Sequence, residues 1–106
     1  MPKYLLEVSY TAEGAKGVLK DGGSKRRAAA KALTESVGGT MEAMYFAFGE
    51  TDVFVIADLP DASAAAAVSL AIGASGSVKA KTTPLLTIED IDAAAKKSTA
   101  YTAPGR

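Results

Sequence analysis

The sequence lacks five residue types altogether: cysteine, histidine, tryptophan, asparagine and glutamine. Without cysteine the chain can form no disulfide, no thiolate nucleophile and no thiolate metal site. Without histidine it has no imidazole with a pKa near neutrality, and it lacks the commonest zinc ligand. Acid–base chemistry would fall to Asp, Glu, Lys or Tyr side chains, and we expect no catalytic residue, no metal site and no cofactor.

A net charge is missing as well, since twelve basic residues balance twelve acidic ones. A neutral chain has no general attraction to nucleic acid or to an anionic membrane, so neither is an expected partner. No apolar run approaches the roughly 20 residues of a membrane span, and the N-terminus shows no signal-peptide pattern. These features predict a cytoplasmic protein.

The length of 106 residues, with 48% hydrophobic and 23% charged residues, is typical of one soluble domain. We predict a single domain over residues 1–97. Residues 98–106 form a polar C-terminal tail, in which Pro104 and Gly105 disfavour regular structure.

Hydrophobic periodicity predicts four strands, over residues 4–10, 40–48, 53–57 and 78–86. It also predicts three helices, over residues 24–37, 62–72 and 88–97, with Ser24, Asp61 and Thr87 as their N-caps. The segment from Thr11 to Gly23 holds four glycines, too many for a regular helix, although Ala15 to Lys20 can still form a short turn of helix with Thr11 as a possible cap.

The resulting order, β-α-β-β-α-β plus a last helix, predicts an α+β fold: a ferredoxin-like antiparallel sheet with an added C-terminal helix. Right-handed crossovers place the first and third strands in the centre and both main helices on one face. The third strand is apolar on both faces, so the uncovered face predicts a homodimer or a higher homo-oligomer. The second helix is apolar nearly all round, which predicts burial on more than one side, including at Ala67.

Three stretches, Tyr10 to Arg27, Tyr45 to Val53 and Lys81 to Thr87, resemble the GYD domain family of small bacterial proteins. The resemblance covers nearly the whole chain. It implies a ferredoxin-like fold related to dimeric α/β-barrel proteins, and it implies no reaction.

The family is named for a Gly, Tyr and Asp at the hairpin between the second and third strands. Gly49 and Asp52 match this motif, whereas Thr51 stands where tyrosine is usual, which removes the phenol. We interpret the motif as turn chemistry, in which Gly49 permits the backbone conformation and Asp52 accepts backbone N–H bonds. A catalytic role is the alternative.

The best candidate ligand site is a basic, glycine-containing cluster before and at the predicted start of the first helix. Its members are Lys16, Lys20, Gly22, Gly23, Ser24, Lys25, Arg26 and Arg27, with Tyr10 as a further hydrogen-bond donor. Cations at a helix N-terminus oppose the helix dipole, so something acidic should offset them. The cluster predicts binding of a small anionic ligand or of a carboxylate, from Asp21, Glu13 or a neighbouring subunit. The alternative is a solvated or intersubunit salt-bridged face.

A second candidate is the uncovered sheet face, with Glu7 and Ser9 on the first strand and Lys79, Lys81 and Thr83 on the fourth. Glu7 can meet a lysine across the strands, and this pairing suits either an interface ion pair or a ligand pocket, as in related barrels.

Three functions remain open at this point. The first is binding or sensing of a small anionic metabolite, which the basic cluster favours. The second is a cofactor-free enzyme of the dimeric α/β-barrel type, an isomerase or monooxygenase, against which the missing His, Asn and Trp count. The third is a purely structural oligomerising protein.

Overall fold

The computed structural model describes residues 1–106 and contains four strands and three helices. Their bounds are β1 Lys3–Tyr10, α1 Ala12–Ser36, β2 Thr40–Phe46, β3 Val53–Asp58, α2 Ala62–Ala74, β4 Val78–Leu85 and α3 Ile88–Ala95. All four predicted strands are present, with ends within two residues of the expected ones. None of the three helices is long and apolar enough to cross a membrane.

The strands form one antiparallel sheet in the order β2-β3-β1-β4, so the predicted ferredoxin-like α+β fold is confirmed. In β1, Leu6 lies opposite Val55 of β3, and Glu7 lies opposite Lys81 of β4. Because side chains alternate along a strand, these registers give the sheet two distinct faces. One is covered by α1 and α2, and the other is the open sheet face.

The core lies between the sheet and the two helices, and it is small. Only 11 of the 106 residues are buried, so much apolar surface stays exposed in the single chain. Eight of them make the hydrophobic core: Tyr4, Leu6, Val53, Val55, Ala57, Leu59, Ala65 and Val68. Tyr4 and Leu6 are the residues that β1 contributes to this core.

The first helix begins at Ala12 rather than at Ser24, so the prediction that residues 11–23 hold no regular helix is wrong, whereas Thr11 is the cap that the sequence offered. Thr11 is the N-cap, and its side chain accepts a hydrogen bond from the Gly14 amide at 3.3 Å. Only Gly22 departs from helical geometry, with φ of 77°, and it divides α1 into two helical halves. Ser24 therefore lies inside the second half and caps nothing. The cap at Thr11 and the alanine, leucine and lysine residues between the glycines offset the low helix propensity of glycine.

The second helix is capped by Asp61, as predicted, but it continues through Gly73 to Ala74. Its burial is one-sided, which contradicts the prediction that it is covered on more than one side. Ala65 and Val68 face the core, whereas Ala67 is exposed and Leu70 is 73% exposed. The apolar composition of α2 thus leaves an uncovered outer side in the single chain.

The last helix is capped as the sequence predicts, with Thr87 and Asp90 exchanging side-chain and backbone hydrogen bonds in a capping box. No residue of α3 is buried. We call residues 86–106, which contain α3, the C-terminal arm; all of them except Ala103 are exposed. The radius of gyration is 16.9 Å, against about 13 Å for a compact domain of this length. The chain is therefore elongated, and the arm lies outside its core.

Candidate functional site

An apolar groove lies between α1 and α2 on the covered face of the sheet. Helix α1 packs against β2 and β1, whereas α2 packs against β4, so the two helices stand apart over the middle of the sheet. The gap has a volume of about 290 Å³, and 13 of its 16 lining residues are hydrophobic. Its floor comes from the sheet, with Leu6, Val8 and Val55 among its residues.

Two polar side chains in the groove have no hydrogen-bond partner within the chain: the Arg26 guanidinium and the Tyr10 hydroxyl. The other two hydroxyls of the lining are already engaged. Thr34 donates to the Ala30 carbonyl at 2.8 Å, and Ser75 donates to the Ile72 carbonyl at 2.7 Å. The groove is thus an apolar pocket that offers a single cation and one phenol to a ligand.

The helical phase of α1 explains why Arg26 reaches the groove. Arg26 precedes Ala29 and Ala30 by three and four residues, and Leu33 by seven, so all four share one side of the helix. Arg26 is half-buried, and it is the one member of the basic cluster that lines the groove. The spacing of Arg26 from these apolar residues is therefore the sequence feature that could have distinguished it from the other members of the basic cluster.

The remaining members of the predicted cluster lie elsewhere. Lys16, Lys20, Gly22, Gly23, Ser24, Lys25 and Arg27 are all exposed. Lys25 is 3.9 Å from Asp21, one turn earlier on the helix, in an exposed ion pair, and Lys16, Lys20 and Arg27 form no ion pair. A Cβ at Gly23 would lie 3.4 Å from the ring of Phe46, so this glycine contacts β2. Of the predicted ligand residues, Tyr10 and Arg26 line the groove, and the others lie on the surface.

The hairpin motif has a structural role that the geometry makes plain. The Tyr10 amide donates a hydrogen bond of 2.8 Å to Oδ2 of Asp52, and the Asp52 amide donates one of 2.9 Å to the Val8 carbonyl. Asp52 thus ties the hairpin to the end of β1, whereas the sequence interpretation placed its acceptor bonds inside the turn. Gly49 is surrounded by open space, and its backbone is outside the left-handed region, so nothing in the structure requires glycine there.

A polar cleft of about 360 Å³ lies on the open sheet face beside the hairpin. Its lining residues are Glu7, Ser9, Glu50, Thr51, Lys79, Ala80 and Lys81. Glu7 is opposite Lys81 in register, as predicted, but no ion pair within 4.0 Å joins them. Ser9 donates a hydrogen bond of 3.0 Å to the Glu50 carbonyl. Four of the five residues predicted for this face therefore line the cleft, with both lysines free of ion pairs, whereas Thr83 lies opposite Leu5 outside it.

The other end of the open sheet face carries an ionic cluster that the sequence interpretation missed. Lys3 Nζ donates to Oε1 of Glu42 at 2.8 Å and to Oδ1 of Asp58 at 2.9 Å. These hydrogen bonds, to Glu42 first and then to Asp58, raise the pKa of Lys3 above its usual 10.5. The contribution to stability is complete at neutral pH and is lost as the pH rises through that raised pKa. The β-bulge between Met41 and Ala43 places Glu42 on this face, and sequence alternation alone does not reveal a bulge.

The structure contains no group of three metal-ligating His, Cys, Asp or Glu side chains. Its sheet order, its single helix layer and its hairpin define a ferredoxin-like α+β protein whose open pocket lies between the two helices. The sequence model of the GYD domain matches residues 4–95, and the chain belongs to the GYD domain family. No curated protein and no solved structure matches the chain.

Proposed function

We propose that this protein is a homo-oligomeric cytoplasmic binding protein for a small organic anion, whose apolar body fills the α1–α2 groove. The observation that carries the proposal is the position of Arg26. It is a half-buried cation without an anionic partner, and it lines a groove that is otherwise almost wholly apolar. Such pockets, apolar with a few directed polar groups, are the usual form of small-molecule sites.

The size and chemistry of the groove narrow the ligand class. A volume of about 290 Å³ is at the lower end of ligand pockets, so the ligand is small. A guanidinium pairs best with a planar carboxylate or a phosphate, to which it can donate two parallel hydrogen bonds. The Tyr10 hydroxyl can donate a third. The ligand we propose is therefore a short, amphipathic carboxylate or phosphate ester.

The groove favours binding over proton transfer, because no carboxylate lines it. The enzymatic alternative would have to use the polar cleft on the open sheet face, where Glu7 and Glu50 are the available bases. Nothing in that cleft shows an oriented base beside a donor that could stabilise an oxyanion. Binding is consequently the function that the geometry supports best.

The binding proposal is tested with three probes that share one alkyl chain: octanoate, octanol and octylammonium. Octanoate should bind at least tenfold more tightly than octanol, since a hydrogen bond to a charged partner contributes about 1.5–3 kcal/mol. Octylammonium should bind worst, because its cation would lie near Arg26. Isothermal titration calorimetry at fixed ionic strength measures all three affinities.

Two neighbouring arginines give the matched variants for this test. Arg26→Gln should remove the preference for octanoate over octanol, whereas Arg27→Gln, which changes an exposed residue outside the groove, should preserve it. Ala71→Leu should reduce the binding of octanoate and octanol alike, because the added side chain occupies the groove. Equal affinity for octanoate and octanol, or an unchanged preference in Arg26→Gln, would rule the site out.

The oligomeric state is the second part of the proposal, and the open sheet face supports it. Leu5, Phe54 and Ile56 form an apolar centre on this face, and no helix of the chain covers it. Tyr45 extends the patch on β2 and is 70% exposed. Exposed contiguous apolar surface of this kind marks an interaction site, and a second copy of the chain is its simplest partner.

We expect light scattering at micromolar concentration to give a mass at least twice the 10.8 kDa of one chain. Ile56→Lys, in the centre of the open sheet face, should shift the equilibrium toward the monomer, because an unpaired cation would be buried at the contact. Lys31→Glu, on the exposed surface of α1, is the control and should leave the mass unchanged. A wild-type chain that stays monomeric would contradict this part of the proposal.

A further inference from the structure

The floor of the α1–α2 groove stops partway along the sheet. Leu6 of β1 and its register partner on β3, Val55, both line the groove. The next pair toward the start of β1, Tyr4 and Ala57, faces the same side of the sheet but does not line the groove. Tyr4 is only 8% exposed and Ala57 only 1%, so the helices pack directly over this pair. The groove therefore ends between the two pairs.

Packed side chains form a wall at this end of the groove. Thr34 is the last residue of α1 that lines the groove, and Leu59, in the connection between β3 and α2, is 1% exposed. A Cβ at Gly39 would lie 3.2 Å from Cγ2 of Thr34 and 2.7 Å from Cδ2 of Leu59, so both side chains reach the same point. Ala65 of α2 belongs to the same buried cluster as Leu59. We call this closed end of the groove the blind end.

The polar groups of the groove lie at its opposite end, which we call the mouth. Tyr10 is the last residue of β1, Val78 is the first residue of β4, and Ser75 is the C-cap of α2. Arg26 is the first residue of α1 that lines the groove, and Thr34, eight residues later, is the last. The cation and the phenol are therefore separated from the blind end by the length of the groove.

We infer that the groove binds an aliphatic carboxylate with its tail inserted toward the blind end and its headgroup at Arg26, and that the blind end limits the length of the tail. The inference rests on the proposed function and names the ligand class. A monoanionic carboxylate matches the single guanidinium, whereas a phosphate monoester carries up to about two negative charges. The blind end suits an apolar tail, because its one hydroxyl, on Thr34, already donates to the Ala30 carbonyl.

Two measures of the groove agree on the length of the tail. The eight-residue separation of Arg26 and Thr34 on α1 corresponds to about 12 Å. The four residues from Leu6 to Tyr10 on β1 correspond to about 13 Å. An extended hydrocarbon chain advances about 1.25 Å per carbon, given bonds of about 1.52 Å at angles of about 111°. A carboxylate of about eight to ten carbons therefore fills the groove.

A series of straight-chain carboxylates tests the length limit. Hexanoate, octanoate, decanoate, dodecanoate and tetradecanoate are titrated by calorimetry, each below its micelle concentration. The affinity should rise about fourfold for each added CH₂ while that group is buried. Beyond about ten carbons it should stay level, because the additional carbons remain in water. A rise that continues from decanoate to tetradecanoate would overturn the inference.

Ala30 allows the limit to be moved, because it lines the groove one helical turn before Thr34 and is half-buried. Ala30→Leu should fill the last turn of the groove, so the affinity should become level about four carbons earlier than in the wild type. Ala32→Leu makes the same change at an exposed position of α1 outside the groove and should leave the series unchanged. An unchanged series in a folded Ala30→Leu variant would contradict the inference.

Octanedioate tests the direction of the tail in the unmodified protein. It has the length of octanoate but carries a carboxylate at both ends. Insertion would bury the second carboxylate among Leu6, Val55 and Val68, where no cation balances it. Octanedioate should therefore bind at least about a hundredfold more weakly than octanoate. Equal affinities would show that the tail leaves the groove between the helices, and the inference would be wrong.

These results separate the inference from the proposed function. If octanoate and octanol bind equally, or if no probe binds, the ligand site itself is wrong and the inference fails with it. If octanoate is preferred through Arg26 but the affinity rises through tetradecanoate, or octanedioate binds as well as octanoate, the ligand site stands. In that case the blind end does not determine the length of the ligand.

Discussion

Gly14→Ala should lower the free energy of unfolding by about 1–3 kcal/mol, the usual cost of forcing extra volume into a packed site. A Cβ on Gly14 would collide with the carbonyl oxygen of Ser77 and would lie 3.0 Å from Cδ1 of Tyr10. The Ser77 oxygen cannot move freely, because it accepts hydrogen bonds from the amide and the hydroxyl of Thr11 at 3.1 and 3.0 Å. The start of α1 must therefore shift away from β4.

Gly17→Ala is the matched control, since it lies one turn later on the same helix and has open space where its Cβ would be. That substitution should stabilise the protein by up to about 1 kcal/mol, because alanine has the higher helix propensity. Urea denaturation of both variants, with equal m-values, measures the contrast. If Gly14→Ala also stabilised the protein, a Cβ at position 14 would not collide with the carbonyl oxygen of Ser77.

The outcome at Gly14 bears on how far the sequence predicts the fold. The strands were predictable because alternation is a local pattern, and the doubly apolar β3 indicated a central position. The first half of α1 was not predictable, because glycine can have two different structural roles, and the sequence does not show which one applies. At Gly22 it permits a positive φ, as expected for a break, whereas at Gly14 it permits a close approach to Ser77, in the turn that precedes β4.

The candidate site shows the same limit. The basic cluster was visible in the sequence, but the interpretation depended on a helix beginning at Ser24, and the helix begins at Ala12. Within the second half of α1, helical phase rather than proximity to an N-terminus decides which cation is half-buried, and that cation is Arg26. The groove itself depends on the separation of α1 and α2 over the sheet, which no local pattern encodes.

The open sheet face and the last helix were each visible in the sequence, but the exposure of that helix was not. The sequence predicted an uncovered apolar face from topology and a last helix with Thr87 as its N-cap. None of the residues of the last helix is buried, and this depends on tertiary structure, which a local sequence pattern does not show. The apolar residues Leu86, Ile88 and Ile91 therefore stay uncovered in the single chain.

Asp52→Ala should lower the free energy of unfolding by about 1.5–3 kcal/mol, the range for a hydrogen bond to a charged group. The Tyr10 amide would lose its acceptor at the half-buried end of β1, beside the hairpin between β2 and β3. Because the side chain of Tyr10 lines the α1–α2 groove, the same substitution should also weaken octanoate binding. Chemical denaturation and calorimetry measure the two effects separately.

The contribution of Asp52 to stability should come from the side-chain oxygen that accepts the hydrogen bond of the Tyr10 amide, and not from the negative charge of the hairpin. Asp52→Asn keeps an oxygen that can accept from the Tyr10 amide, so it should retain part of the lost stability. Glu50→Ala removes a carboxylate from the same hairpin whose side chain makes no hydrogen bond, and it should change stability by less than about 0.5 kcal/mol. Equal losses in Asp52→Ala and Glu50→Ala would indicate general hairpin electrostatics instead. A clear separation would show that this aspartate, shared with the family motif, holds the hairpin to β1 and thereby sets the polar end of the groove.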